Sequence, residues 1–388
     1  MTADAGIPNE GPLSGDAKRV ALRSPRAALE PENVPEPKRP SRRARHPLVM
    51  IGNAIFSIIL ILAIGAGVAY QYGKHRIETA GPLDRDKIVN IPKGLGLREI
   101  ADLLARESVI DQPMVFIGSV LVLKAKDELK FGEYKFTKQI TLRETIDVIV
   151  EGKVIQHAFT IPEGLTSEQI VARLAEVDFL AGNIREIPKE GTLLPETYNF
   201  PRGTTREQAI QRMQQMHRRA LQEIWERRSP EVPVKTPEAL VTLASIVEKE
   251  TAKAGERPLV AAVYETRLRI GMPLQCDPTV IYGLVKAGRY DGNIHKEDLS
   301  FDSPYNTYRY PGLPPGPIAS PGRASLEAAV HPADAEFLYF VSRNDGSHEF
   351  ARTLEEHNRN VQKYQVQYFR DQRAGKAGGA GRSGGSGR

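Results

Sequence analysis

The sequence predicts an α+β protein with one N-terminal transmembrane helix, a small strand–helix–helix–strand subdomain and a larger α+β domain. Three observations predict it. Residues 48–70 carry no charged side chain over a length matching the roughly 20 residues that cross a bilayer. Beyond them, short strand-like runs and amphipathic helical stretches are joined by Pro-x-Gly turns. Late in the chain, residues 303–321 are packed with Pro, Gly and Tyr, a composition that fits neither a helix nor a strand ladder. The 388 residues are 40% hydrophobic and 26% charged, ordinary values for globular domains, and long enough for two of them plus tails.

Residues 1–47 are rich in Pro, Ala, Arg and Glu without periodicity and read as a disordered basic tail ending in KRPSRRARH. The span that follows is interrupted only by Asn53 and Ser57. It lies too far from the N-terminus, and is too long, for a cleaved signal peptide. Lys38, Arg39, Arg42, Arg43 and Arg45 precede it, whereas Lys74 and Arg76 soon meet Glu78 and Asp84. The positive-inside rule therefore keeps the N-terminus cytoplasmic and sends the rest outward, into the periplasm, away from ATP and toward the cell wall. The single cysteine, Cys276, excludes an intrachain disulfide. No basic surface interleaved with aromatics accompanies the net charge of +5, which argues against a nucleic-acid reader.

Residues 83–155 read as the small subdomain. Strands are expected at Ile88–Ile91 and Gly132–Phe136, and helices at Leu95–Ala105, near Pro113–Lys124 and at Thr141–Val150. An internal repeat follows: Ile91-Pro92-Lys93-Gly94-Leu95 with Ile100 and Leu104 matches Ile161-Pro162-Glu163-Gly164-Leu165 with Ile170 and Leu174. A weaker third copy is expected from Phe200-Pro201-Arg202-Gly203. Residues 156–370 form the larger domain, and 371–388 a flexible Gly/Ser-rich end. Within it, helices are expected through residues 211–233, at Glu256–Ile270, from Asp277, from Ser320 to Val330 and from Leu354 to Arg370. A hairpin is expected across Asn344-Asp345-Gly346.

The helix of KTPEALVTLASIVEKET (235–251) carries the most suggestive chemistry. Thr236 is placed to cap it and Pro237 to begin it. At helical period Leu240, Leu243, Ala244 and Val247 share a face with Glu250, while Lys249 points away. A carboxyl among apolar neighbours loses hydration and holds its proton, as a general acid must. A buried ion pair with Lys249 or Arg257 is the alternative the pattern leaves open. In SPYNTYRYPGLPPGPIASP, Tyr305, Asn306, Thr307 and Tyr308 offer rings and short polar groups suited to sugars, or a rigid loop packed on the core. Gln275 and Asp277 could line a cleft, with plain capping by Asp277 as the alternative. Glu196 and Tyr198 are further groove candidates, with a structural turn as theirs. No zinc-ligand spacing, nucleophile elbow or phosphate loop is present, so neither metal nor cofactor is expected.

The stretches LASIVEKET, RLRIGMPLQCDPTVIYG, PYNTYRYPGLPPGPIASPG and HPADAEFLYFV are collinear and specific, and they resemble the YceG-like family of endolytic murein transglycosylases. The resemblance runs from the span to about Phe369. It implies a LysM-like subdomain at 83–155 and a catalytic domain at 156–370. The implied reaction is non-hydrolytic cleavage of the β-1,4 bond between N-acetylmuramic acid and N-acetylglucosamine in peptidoglycan strands, leaving 1,6-anhydro ends. Glu250, the second Glu of EKET, takes the family's catalytic place. Penicillin-binding proteins are the implied partners. Cys276 stands where a small polar residue such as Thr is expected. A hydrolytic muramidase and a non-catalytic peptidoglycan-binding scaffold are the rival readings.

Overall fold

The computed structural model describes residues 46–368 and 370. The expected tails lie outside the described residues, apart from positions 46–47. The chain divides into two compact units at Gly73. Helix α1 (Pro47–Glu78) holds the apolar stretch, exposed along residues 48–70, and is long and apolar enough to cross a membrane. It continues eight residues past the expected end at Tyr70, since nothing in QYGKHRIE breaks a helix.

The second unit begins with β1 (Lys87–Ile91), α2 (Leu97–Arg106), α3 (Pro113–Val122), β2 (Gly132–Phe136) and α4 (Leu142–Glu151). β1 pairs antiparallel with β2, Lys87 opposite Phe136 and Ile91 opposite Gly132. Ile91, Leu104, Phe116, Tyr134, Phe136 and Ile149 close one hydrophobic core. A second module follows, built from β3 (Gln156–Thr160), α5 (Ser167–Glu176), β4 (Thr197–Pro201) and α6 (Arg206–Glu226), with β3 antiparallel to β4. Ile161, Ile170, Leu174, Tyr198, Phe200 and Met213 form its core.

The internal repeat is therefore deeper than the turn motif, and the expected third copy is present as strand β4, a turn at Gly203 and helix α6. Residues 197–210 form the second half of the second module and correspond to 133–146 of the first. Tyr134 and Phe136 stack with centroids 6.1 Å apart, and Tyr198 and Phe200 with centroids 5.9 Å apart. The Tyr134 hydroxyl donates to the Lys130 carbonyl at 2.8 Å, and the Tyr198 hydroxyl to that of Leu194 at 2.7 Å. Thr141 with Glu144 and Thr205 with Gln208 then make the same capping box. At the bend Gln139 has φ +56° where the second module has Gly203 at φ +87°, so the motif's glycine is replaced and the match was masked.

The third core gathers around α7 (Pro237–Glu250), α8 (Arg257–Arg269), α9 (Asp277–Lys286) and α10 (Arg323–Ala328). Thr236 accepts from the Ala239 N–H at 3.1 Å and caps α7, and Pro237 opens it. Leu240 through Val247 are all buried, so α7 is enclosed nearly all round rather than amphipathic. α6 is likewise less solvated than its charges suggest, burying Met213, His217, Ala220 and Ile224. β5 (Tyr339–Ser342) and β6 (His348–Ala351) form the expected hairpin, and α11 (Leu354–Val361) ends the domain in a π-helical turn over Gln362–Gln367.

Candidate active site

Glu250 is the last residue of α7, half-buried at the edge of a cleft of about 420 Å³. Its helix places it there because Thr251 turns to extended backbone and ends the ladder. The Tyr264 hydroxyl, from α8, donates to Glu250 Oε1 at 2.5 Å. Burial pushes the Glu250 carboxyl up and Asp277 adds to the rise, while bonds from Tyr264 and Cys276 and the nearby His348 pull against it. The ion-pair alternative is not what the structure shows. Lys249 donates to the Gly164 carbonyl at 3.3 Å, and Arg257 pairs with Glu163 at 2.9 Å and Glu248 at 3.2 Å. Among the described residues, no cation lies within ion-pair distance of Glu250.

Glu248, two residues earlier, has a different task. Its Oε2 accepts from the Gly322 N–H at 2.9 Å and the Ser325 hydroxyl at 2.7 Å, tying α7 to the start of α10. A Cβ at Gly322 would meet Glu163 Oε1 at 1.8 Å, so a larger residue there would have to displace the Glu163 side chain. The Pro/Gly/Tyr loop is anchored nearby. The Ile318 N–H donates to Ser245 Oγ at 3.1 Å, and Ser320 exchanges backbone bonds with the repeat turn at Gly164 and Leu165.

The cleft is floored by Arg267, whose guanidinium donates to the carbonyls of Leu338 and Leu274, both at 2.7 Å. That clamp fixes the turn at Gln275, which sits at φ +51° and donates its N–H to the Thr307 carbonyl at 3.2 Å. Gln275 is exposed, and among the described residues its side-chain amide makes no hydrogen bond. Asp277 lines the same cleft. Its Oδ1 accepts from the Tyr308 hydroxyl at 2.6 Å, so it does not cap α9, whose cap is Cys276. Burial, then the Asp277 bond, raises the Tyr308 hydroxyl's pKa. Cys276 is buried beneath the carboxyl, and burial together with Glu250 pushes its thiol up, which keeps it an inert thiol.

The YceG-like family matches residues 89–363 of this sequence. An endolytic murein transglycosylase of Bacillus subtilis is 32% identical over 336 residues, 77% of this chain and 90% of the relative. The chain belongs to the YceG-like family. A Streptococcus pneumoniae protein of the same name is 26% identical over 360 residues, covering 80% of this chain and 65% of the relative. The crystal structure of a yceG-like protein from Listeria monocytogenes aligns at 31% identity with a TM-score of 0.44, covering 71% of this chain and 99% of that one.

Of the residues singled out in this YceG-like sequence, the structure gathers Glu250, Gln275, Asp277 and Tyr308 in one cleft. The others lie elsewhere. Asn306 is fully buried, its amide nitrogen donating to the Leu299 and Phe301 carbonyls at 3.0 and 2.8 Å and its oxygen accepting from the Tyr308 N–H. Thr307 is buried and bonds Cys276 N at 3.0 Å and Thr279 Oγ1 at 2.9 Å. Both build the loop rather than face the cleft. Tyr305 packs on Tyr282, centroids 4.8 Å apart, and lines a different cavity. Tyr198 is core, as described above, and Glu196 is exposed near Glu163. Sequence reasoning missed Tyr264, Arg267, Tyr339, Phe340, Leu354, His357 and Asn358. The last three had a readable signal, since positions i, i+3 and i+4 share a helix face.

Proposed function

We propose that this chain is an endolytic peptidoglycan transglycosylase in which Glu250 is the acid and then the base. The carrying observation is the Glu250 carboxyl at the edge of a cleft, its pKa raised by burial, with a neutral tyrosine hydroxyl and no cation as its partner. Tyr264 donates to Oε1, which leaves Oε2 as the oxygen proposed to pass the proton. Protonation of the glycosidic oxygen leaves a carboxylate, which the Tyr264 hydroxyl then stabilises. That carboxylate removes the proton from the muramyl C6 hydroxyl as it closes on C1, giving the 1,6-anhydro end without water. The family membership and the name of its relatives support the same reading.

Gln275, Asp277 and Tyr308 are proposed to hold the sugar beside Glu250, with the buried Asn306 and Thr307 fixing the loop that carries Tyr308. Residues 83–155 are proposed as the LysM-like glycan-holding subdomain and 156–370 as the catalytic domain. We read residues 48–70 as a single pass through the inner membrane, N-terminus in the cytoplasm, supported by the apolar helix and the basic residues before it. Acting on nascent strands would place the enzyme beside glycan-synthesising penicillin-binding proteins.

Asp277 favours one second reading. A second carboxylate in the cleft is what a hydrolytic muramidase uses. Mass analysis of the products from purified glycan strands separates the two. The transglycosylase leaves ends one water lighter than a hydrolase does, and products with ordinary reducing ends would overturn the first reading.

A further inference from the structure

A cavity of about 910 Å³, larger than the Glu250 cleft, lies between α8 and residues 331–338 and is lined by Glu265, Arg269 and Arg352. Glu265 is only 1% exposed, yet its Oε1 has no hydrogen-bond partner. A buried carboxyl without a partner costs free energy in either protonation state, and a built site normally removes that cost with a donor. Arg269 is four residues further along α8, on the same side, and its charge acts on Glu265. Neither Arg269 nor Arg352 forms an ion pair among the described residues, although Asp334 and Glu336 line the same cavity. The Arg352 guanidinium instead lies over the Phe337 ring at 5.9 Å. The wall thus holds an unpaired carboxyl and two guanidinium forks without a carboxylate partner. Such forks match carboxylates in a planar, two-bond geometry. The volume is in the range of small-molecule sites.

We propose that this cavity binds a zwitterionic amino-acid or peptide group, its ammonium on Glu265 and its carboxylate on Arg269 and Arg352. No assigned step uses this cavity, and Glu265 does not line the Glu250 cleft. Two sources carry this chemistry, a free amino acid or short peptide and the peptide stem of a glycan strand. Only the second rests on the peptidoglycan reading.

The test is calorimetric titration of the purified full chain with alanyl-alanine, its N-acetyl form and its C-terminal amide. Alanyl-alanine binds saturably at one site, and each blocked form binds at least ~10-fold more weakly, the size of one lost charge-assisted hydrogen bond. Glu265→Gln and, separately, the exposed Arg269→Ala each weaken binding ~10-fold or more. Arg269→Ala keeps the test decisive if Glu265→Gln folds poorly. Absence of saturable binding, equal binding of the acetylated dipeptide, or unchanged affinity in Arg269→Ala each overturns the proposal. A disaccharide-peptide that binds at least ten times more tightly than alanyl-alanine identifies the stem as the source. Equal affinities identify the free amino acid or peptide. Cleavage of peptide-free glycan strands by the same preparations is unchanged, so a failed titration with intact cleavage sinks this site and leaves the proposed activity standing.

Discussion

Glu265 also sets a pH dependence of stability that follows from its burial. Burial raises its pKa from the ordinary 4.5 to about 7, with Arg269 opposing the rise. Glu231, His331, Asp334, Glu336 and Arg352 complete the charged wall of its cavity. Between those two pH values the unfolded chain releases this proton while the folded chain keeps it. The folded state then binds more protons, so its stability falls as pH rises. At about 1.4 kcal/mol per pH unit, the loss from pH 4.5 to pH 8 is ~3 kcal/mol. Glu265→Gln keeps the shape and removes the titration. Its own unmet hydrogen bonds carry a cost that does not change with pH. Urea unfolding of both proteins at pH 4.5 and pH 8 isolates the effect, read by the fluorescence of Trp225, the chain's single tryptophan, which packs on the core containing Tyr264. Wild type should lose ~3 kcal/mol more than the variant over that interval. Parallel losses in the two proteins would refute the reasoning, because the carboxyl would then be titrating as in water.

Further outcomes follow from single contacts. Tyr264→Phe removes the donor to Glu250 Oε1, a bond that lowers the carboxyl's pKa. The alkaline limb of the pH–rate profile should move to higher pH and kcat should fall roughly 10- to 100-fold, the value of a hydrogen bond to a charged group. Arg257→Met leaves Glu248 and Glu163 without their cation, with Glu248 95% buried at its side chain. Thermal unfolding should show a loss of about 3–5 kcal/mol, as for a broken buried pair. Gly322→Ala drives a methyl into Glu163 Oε1 and should cost about 1–3 kcal/mol by the same assay.

Local rules made much of this fold legible. Thr236 and Pro237 start α7 as their chemistry requires, β2 spans Gly132–Phe136 as read, and the hairpin at Asn344 forms. The apolar face of its helix singles out Glu250, and the structure puts that carboxyl at a cleft. The duplicated module was half-hidden, because Gln139 replaces the glycine that marks the turn elsewhere. Asn306 and Thr307 illustrate the opposite failure. A loop rich in Pro and Gly has few ladder bonds of its own, so its short polar side chains were spent holding it together. Tyr264 and His357 reach the cleft from α8 and α11, elements joined to α7 only by tertiary packing, which periodicity within one element does not encode.

The central claim is that one carboxyl, Glu250, performs both proton transfers. The rate of glycan-strand cleavage by purified Glu250→Gln, compared with wild type at equal folded concentration, tests it most directly. A fall of at least ~100-fold with an unchanged thermal midpoint is expected. Cleavage at the wild-type rate by a folded Glu250→Gln protein would contradict it.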